Sequence, residues 1–210
     1  MSSPIESTIA TYNEVAQDYL ARWRDRTGMR PQFDRFAAHL TPGSRVLDIG
    51  CGPGFDAPVL RAYGFQVISF DLSWGMMRAG RAEFPGEFVQ ADMRYLPLAP
   101  ACADGLWLNA SLLHLPRPDV LPTLKRMREI LRPRGILFLT VKGGSGELWT
   151  AYPSPTSHTR FFTFWAADAL NETLQQAGFD VLEQWQDEAD GVSWLGHIVQ
   201  NVPPVPGQGL

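Results

Sequence analysis

The stretch that decides the fold is VLDIGCGPG, residues 46–54. Residues 45–49 form a short apolar run after the turn signal Thr41-Pro42-Gly43, which is typical of a strand buried on both faces. The run ends in a glycine-rich turn, and a helix is expected from about Phe55. A strand that passes through such a turn into a helix lets the backbone approach a ligand closely.

Three details of this turn favour a ligand without phosphate. Glycine turns also occur in dinucleotide-binding folds, but Phe55 stands where that pattern has its third glycine. Pro53 offers no N–H to a phosphate, and Asp48 places on the ligand side a carboxylate that repels a pyrophosphate. The turn therefore predicts a zwitterionic ligand whose ammonium group meets an acid.

Outward from this turn, strand-like runs alternate with segments long enough for a helix. The further runs are residues 66–70, 87–90, 104–109, 135–141, 180–185 and 193–199. This alternation predicts an α/β fold with a doubly wound, mostly parallel sheet in three layers. The last two runs are too close in the chain for a helical crossover, so they are expected to pair antiparallel.

The predicted helices divide the chain into regions. Apolar periodicity predicts one helix through residues 9–23 and a second over 31–40, which form an amino-terminal helical cap at residues 1–40. Further helices are expected at 74–84, capped by Ser73, and at 119–131. The core then covers residues 41–200, and the proline- and glycine-rich residues 201–210 are expected to be a loose tail.

Composition narrows the class of protein. A chain of 210 residues with 45% hydrophobic content indicates one domain with one core. The 18 basic and 22 acidic residues form no run of like charges, which disfavours nucleic-acid and membrane-surface partners. Cys51 and Cys102 indicate neither a disulfide framework nor a zinc site, and no leader or membrane span is evident. A cytoplasmic protein is expected.

Acidic residues follow the second and third predicted strands. Asp71 ends the second strand, where a carboxylate can accept both hydrogen bonds of a ribose diol. Asp92 follows the third strand and can accept from an exocyclic amine, while Met93 can flank a purine. Because dinucleotide enzymes also place an acid at the position of Asp71, these residues predict a nucleoside cofactor without choosing its kind.

Taken in order, these motifs resemble those of class I S-adenosylmethionine-dependent methyltransferases over about residues 12–199. The stretches NASLLHL at 109–115 and LRPRG at 131–135 also resemble motifs of this family. Residues 164–179 are similar to the helix before the sixth strand in members that act on small molecules. The resemblance implies a Rossmann-like methyltransferase fold, a seven-stranded sheet with an antiparallel last strand.

The resemblance also implies which residues hold S-adenosylmethionine. The glycine turn with Asp48 would contact the methionine moiety, Asp71 the ribose, and Asp92 the adenine. Residues 109–111 would contact the inner edge of the cofactor. The complete set of implied cofactor-binding residues is Tyr12, Tyr19, Asp48, Gly50, Cys51, Gly52, Gly54, Asp71, Leu72, Met76, Ala91, Asp92, Met93, Asn109, Ala110 and Ser111.

Departures from the family pattern argue against several classes of methyl acceptor. After the fourth strand the chain has Asn-Ala-Ser-Leu at 109–112, and not the Asn/Asp-Pro-Pro-aromatic motif of nucleic-acid and glutamine amino-methyltransferases. Neither cysteine resembles the Pro-Cys nucleophile of cytosine methyltransferases. Asn109 replaces the acid that metal-dependent catechol enzymes would have, so no metal is implied.

Two regions near the expected cleft each have two interpretations. Tyr12 and Tyr19 either pack the first helix onto the sheet or close over the cofactor, where an aromatic face attracts the sulfonium by about 1 kcal/mol. Residues 142–160, rich in glycine, proline and large rings, form either a surface loop or a lid over the acceptor, which would extend to residue 165. His158 in this loop is expected to be solvated.

The chain is thus predicted to transfer a methyl group from S-adenosylmethionine to a small organic molecule, as a monomer or homodimer. His114, just after the fourth strand, is a candidate general base, and the alternative is that it packs and bonds the backbone. Two other functions stay open: a protein that binds the cofactor without turnover, and a nucleotide-dependent oxidoreductase, which Asp48 and Pro53 disfavour.

Overall fold

The computed structural model describes residues 3–153 and 158–202. Its strands are β1 Arg45–Ile49, β2 Gln66–Asp71, β3 Glu87–Gln90, β4 Ala103–Leu108, β5 Leu131–Lys142, β6 Glu147–Ala151, β7 Thr159–Thr163, β8 Phe179–Ala189 and β9 Val192–Asn201. Its helices are α1 Pro4–Glu14, α2 Ala16–Trp23, α3 Arg30–Ala37, α4 Ala57–Ala62, α5 Trp74–Gly80, α6 Arg117–Ile130 and α7 Ala167–Gln176. None of these helices is long and apolar enough to cross a membrane.

Seven of these strands form one sheet in the order β3-β2-β1-β4-β5-β9-β8. The pairs from β3 to β5 are parallel, whereas β9 runs antiparallel to both β5 and β8. The predicted mostly parallel sheet with an antiparallel last strand is confirmed. The strand order reverses between β1 and β4, and ligands of open α/β sheets bind beyond the carboxyl ends of the strands at such a switch point.

Helices cover both faces of the sheet, which gives the three layers predicted. Successive side chains of β5 alternate between the faces: Leu137 and Leu139 pack with α6 and α7, whereas Ile136 and Phe138 pack with α3 and α4. Phe138 also stacks on Trp107 of β4, with ring centroids 3.7 Å apart. Because this part of β5 is buried on both faces, the sequence of residues 136–139 is continuously apolar rather than alternating.

Two of the predicted helices differ most from the structure. The helix expected through residues 9–23 is two helices, because Val15 leaves the helical conformation at φ −90° and ψ 7°. The helix expected at 74–84 ends at Gly80, where an added Cβ would lie 1.8 Å from the carbonyl oxygen of Pro53. Close packing of this helix end against the glycine-rich turn therefore requires glycine.

The loose tail predicted at residues 201–210 is wrong at its first residue. Asn201 ends β9, and its side-chain amide donates to the backbone carbonyls of Arg128, Leu131 and Arg132 at 3.2, 3.0 and 3.0 Å. These bonds hold the end of β9 against the junction between α6 and β5. Residues 203–210 lie outside the described part of the chain.

The segment at 142–160, expected as a loop, contains an antiparallel ribbon of β6 and β7. The ribbon is anchored on α1: the Phe161 N–H donates to Thr8 Oγ1 at 3.0 Å, and Thr11 Oγ1 donates to the Thr159 carbonyl at 2.8 Å. His158, expected to be solvated, lies with Nε2 3.2 Å from a carboxylate oxygen of Glu14. Bonds to a distant helix thus order a stretch whose composition is typical of loops.

Candidate functional site

One cleft lies above the carboxyl ends of β1, β2 and β4, at the switch point of the sheet. It encloses about 1040 Å³ of empty space, part of which is open to solvent. Nearly all of the residues predicted to bind cofactor line it, although they come from six separate parts of the chain. These are Tyr12, Tyr19, Asp48, Gly50, Cys51, Gly52, Asp71, Leu72, Met76, Ala91, Asp92, Met93, Asn109, Ala110 and Ser111, and His114 joins them.

The glycine-rich turn is held close to β2 and β4. The N–H groups of Gly50 and Cys51 both donate to the Phe70 carbonyl, at 2.7 and 3.0 Å. Gly50 has φ 75°, and a Cβ there would lie 2.2 Å from Ser111 Cβ, so only glycine fits. Gly54 is the exception among the predicted residues: it faces the ring of Phe88 in β3, and not the cleft.

Asp71 braces the turn from the end of β2. One carboxylate oxygen accepts from the Gly52 N–H and the other from the Ser73 N–H, each at 2.7 Å. Burial raises the pKa of Asp71, and the backbone donors oppose this effect. Each oxygen keeps a free lone pair, so the carboxylate can still accept a pair of hydroxyl donors from the cleft.

Asp48 is a buried acid that lacks a partner on one oxygen. Only 2% of the residue is exposed, and Oδ2 accepts no hydrogen bond from any described residue. Burial and the nearby charges of Asp56 and Asp71 raise the pKa of Asp48 well above its usual range. A buried acceptor without a donor costs about 1–3 kcal/mol, and a cationic donor that enters the cleft would remove that cost.

Beside Asp48 lies an ion pair that the sequence did not predict. Arg26 Nε and Nη2 donate to the two carboxylate oxygens of Asp56 at 2.7 and 3.0 Å. Trp107 Nε1 and Asn109 Nδ2 also donate to Asp56, at 2.8 and 3.0 Å. The Asn109 oxygen in turn accepts from Thr140. The Asn109 side chain is therefore used within the protein, and Arg26 adds a guanidinium to the cleft wall.

Asp92 is also paired, although it lines the cleft. Arg94 Nη2 lies 2.7 Å from Asp92 Oδ2, the Arg94 N–H donates to Oδ1, and Arg94 Nη1 reaches Asp119 at 3.2 Å. Burial alone would raise the pKa of Asp92, but the hydrogen bonds from Arg94 outweigh it and lower that pKa. Asp92 is thus an ionised acceptor that an exocyclic amine would share with Arg94.

Helices α1 and α2 close the cleft from above. The rings of Tyr12 and Tyr19 meet edge to face with centroids 5.7 Å apart, and both line the cleft. Asn13 Oδ1 accepts from the Ser73 hydroxyl and the Gly75 N–H, each at 2.8 Å, which ties α1 to the start of α5. Both tyrosines therefore face the cleft, and their contact with a cofactor stays a prediction.

A family model described as a methyltransferase domain matches residues 20–184, which is more than half of the chain. The chain belongs to the class I S-adenosylmethionine-dependent methyltransferases. The family resemblance that the motifs carried is confirmed.

Two curated relatives of this methyltransferase share part of its length. It is 35% identical over 132 residues to a malonyl-[acyl-carrier protein] O-methyltransferase of Pseudescherichia vulneris. The match covers 61% of this chain and 52% of that protein. It is 29% identical over 154 residues to a ubiquinone biosynthesis O-methyltransferase of Xanthomonas campestris pv. campestris, which covers 64% of each. The methyltransferase therefore spans between half and two thirds of the length of these relatives.

A solved structure matches almost the whole chain. The Burkholderia thailandensis 1,6-didemethyltoxoflavin-N1-methyltransferase, with bound 1,6-didemethyltoxoflavin and S-adenosylhomocysteine, has a TM-score of 0.77 to this methyltransferase. The two are 24% identical, and the match covers 97% of this chain and 92% of that one. The two proteins therefore share their fold.

His114 of the methyltransferase joins the cap to the ribbon. Its Nδ1 lies 2.8 Å from the Phe161 carbonyl and its Nε2 lies 2.8 Å from the Tyr12 hydroxyl. Because a carbonyl only accepts, Nδ1 carries the hydrogen and Nε2 accepts from Tyr12. Burial, together with the charges of Arg160 and Lys142, lowers the pKa of His114 to about 3, although the hydrogen bond to the Phe161 carbonyl opposes this shift. His114 is a neutral linker here, and its role as base stays a prediction.

The cleft residues that the sequence did not predict include an ion pair formed across the chain and side chains of α1. Arg26 and Asp56 lie on connections with no motif of their own, and the turn-flanking position of Asp56 after Phe55 is the only local signal. The side chains of Ile5, Thr8 and Ile9 also line the cleft. They belong to α1, part of the region that was predicted as one helix from its apolar periodicity.

Proposed function

We propose that this methyltransferase binds S-adenosylmethionine in the cleft and transfers its methyl group to a nucleophilic atom of a small organic molecule. The observation that carries the proposal is the unpartnered Oδ2 of Asp48, buried beside a glycine-rich turn in which Gly50 leaves no room for a side chain. A ligand ammonium supplies the missing donor. Of the three functions left open by the sequence, methyl transfer also agrees with the family of the chain.

The residues that line the cleft fit this cofactor in order along the sheet edge. Asp92 would accept from the adenine amine, and Asp71 would accept from the ribose hydroxyls with its free lone pairs. Asp48 would bind the ammonium of the methionine moiety, and Arg26 would bind its carboxylate. When bound, S-adenosylmethionine supplies an electrophilic methyl group on a sulfonium, which leaves as a neutral thioether.

The protein would contribute mainly by positioning the acceptor relative to the methyl group. The cap helices exclude water, and the end of β4 with Tyr12 would align an acceptor atom with the methyl group. Alignment of two reactants can supply about 7–11 kcal/mol of the barrier, so few groups need to take part chemically. No base is required for an acceptor that is already ionised, and His114, bonded at both nitrogens, is a poor proton acceptor in this arrangement.

The family does not fix the acceptor atom, because one of the relatives is an O-methyltransferase and the structural neighbour is an N-methyltransferase. The balanced charge and the absence of a nucleic-acid-type motif after β4 support a small-molecule acceptor and no nucleic-acid partner. We further propose a cytoplasmic enzyme that works as a monomer or homodimer, with residues 142–165 as the lid of the acceptor side.

The proposal is tested by methyl transfer from labelled S-adenosylmethionine across a panel of small acids, phenols, amines and thiols. We expect label in at least one product, formed together with S-adenosylhomocysteine. Cofactor binding without product from any member would favour the non-catalytic alternative, and binding of NAD in place of S-adenosylmethionine would favour the oxidoreductase. The Asp48→Asn variant keeps the shape of the site and removes the charge, so it should bind the cofactor more weakly.

A further inference from the structure

Two cations lie against one aromatic ring near the cap. Lys142 Nζ is 3.7 Å and Arg160 Cζ is 5.1 Å from the centroid of Phe162. Lys142 ends β5, whereas Arg160 belongs to β7 of the ribbon. Arg160 also lies over the rings of Tyr12 and Tyr152, at 5.8 and 4.9 Å. Two strands that belong to different sheets therefore bring like charges together.

Neither cation has an acidic partner. No carboxylate within residues 3–153 and 158–202 forms an ion pair with Lys142 or Arg160, and the rest of the chain contains neither Asp nor Glu. Arg160 Nε is buried and donates to no described residue. Burial and the charge of Arg160 both lower the pKa of Lys142. The rings offset part of the desolvation cost, but they leave the mutual repulsion of the two charges in place.

The pair lies next to the expected methyl-transfer end of the cleft. Along the sheet edge, Asp92, Asp71 and Asp48 lie at or near the carboxyl ends of β3, β2 and β1, so the methionine end of a cofactor would lie over β1 and β4. The next strand in this order is β5, which ends at Lys142. The His114 ring, which lines the cleft, is 4.8 Å from Phe162.

We propose that the methyl acceptor carries an anionic group, a carboxylate or a phosphoryl group, that binds between Lys142 and Arg160 beside Tyr12 and His114. This inference rests on the proposed function, because the cofactor order along the sheet defines the acceptor end. The fork of Arg160 suits a bidentate oxyanion, and Lys142 adds a second charge-assisted donor. The anion would supply the partner for Arg160 Nε and cancel the repulsion between the two cations.

The test is calorimetry on the full chain saturated with S-adenosylhomocysteine, at constant ionic strength. The probes are benzoate and phenyl phosphate, and benzamide is the neutral analogue of benzoate. We expect at least one anion to bind about tenfold or more tightly than benzamide, since hydrogen bonds between charged groups are stronger than those of a neutral amide. Equal binding of the anions and benzamide, or no binding of either anion, would overturn the inference.

Variants locate the anion. The double variant Lys142→Met, Arg160→Gln should bind the anion about a hundredfold more weakly than the unaltered chain. Arg160→Lys alone should lower the anion affinity by about tenfold or less, because it keeps the charge. The matched control is Lys125→Met, which removes the only other lysine of the chain from the exposed surface of α6. Anion affinity that survives the double substitution, or that falls equally in Lys125→Met, would contradict the site.

The same measurements separate this inference from the proposed function. Affinity for S-adenosylhomocysteine should stay within about twofold in every variant, because neither cation lies at the cofactor acids. If the cofactor product binds and the anions do not, only the acceptor assignment fails. If the cofactor product does not bind to the unaltered chain, the proposed function fails, and with it the basis for naming an acceptor end.

Discussion

The half of the cleft above β1, β2 and β3 and the half beside β5 and the ribbon are held together in different ways. In the first half, Asp71 is fixed by backbone N–H groups of neighbouring turns, at Gly52 and Ser73. In the second half, side chains from distant segments meet, as Tyr12 meets His114. Changes in the first half should therefore act on cofactor affinity or on the turn itself, and changes in the second half on the docking of the cap.

The largest effect is expected at the turn. Gly50→Ala should lower the free energy of unfolding by about 2–5 kcal/mol, because the new Cβ meets Ser111 and the residue keeps a positive φ. Gly191→Ala is the control with a similar φ of 71° and nothing near its Cβ, and it should cost only about 1–2 kcal/mol. Denaturant unfolding measures both. Equal losses would mean that the close approach to Ser111 is not a constraint.

The second largest effect is expected at Asp71, the residue that would bind the ribose. Asp71→Ala should weaken the binding of S-adenosylhomocysteine by about one to three decades, since two charge-assisted hydrogen bonds and the brace on the turn are lost. Asp180→Ala, at an exposed acid of β8, should leave the dissociation constant unchanged. Titration calorimetry distinguishes the two variants, and an unaltered affinity in Asp71→Ala would place the ribose elsewhere.

In the second half, the neutral state of His114 predicts a dependence of stability on pH. Its pKa is about 3 in the folded protein, whereas an unfolded histidine titrates near about 6.5. Above about pH 6.5 both states are neutral and the contribution is complete. As the pH falls toward 3, the unfolded chain takes up a proton that the folded protein does not, so stability decreases, by about 2 kcal/mol between pH 7 and pH 5.

The His114→Gln variant isolates this effect and the question of the base. In His114→Gln, the loss of stability between pH 7 and pH 5 should be smaller than in the unaltered protein. His197→Gln is the comparison variant, because burial also lowers the pKa of His197, to about 4. If His114 is structural, stability at pH 7 falls with little change in turnover per folded molecule. A fall in turnover of about 10²–10⁴-fold at unchanged stability and cofactor affinity would instead establish His114 as the base.

The smallest effect is expected for the hydroxyl of Tyr12. Tyr12→Phe removes its hydrogen bond to His114 and should lower the free energy of unfolding by about 1 kcal/mol, while the ring stays in the cleft. Tyr95→Phe, at a residue that is 73% exposed, is the control. A tenfold weaker binding of S-adenosylhomocysteine in Tyr12→Phe would show that the hydroxyl contacts the cofactor.

What the sequence could predict depends on the range of the contacts, in both halves of the cleft. The alternation of strands and helices, the antiparallel end of the sheet and the acids Asp48, Asp71 and Asp92 follow from short-range patterns, because each acid lies within two residues of the end of its own strand. The ribbon and the Arg26–Asp56 pair depend on contacts between distant segments, such as Phe161 with Thr8. Local propensity carries no record of such partners, and glycine and proline at 142–160 pointed to a loop.

The central claim is that the cleft holds a zwitterionic nucleoside cofactor through Asp48. Titration calorimetry of the unaltered chain with S-adenosylmethionine, S-adenosylhomocysteine and NAD tests it most directly, with Asp48→Asn alongside. We expect both sulfur ligands to bind, NAD not to bind, and Asp48→Asn to weaken both sulfur ligands by about tenfold or more. Absence of heat with either sulfur ligand at millimolar concentration, or equal affinity in Asp48→Asn, would contradict the account.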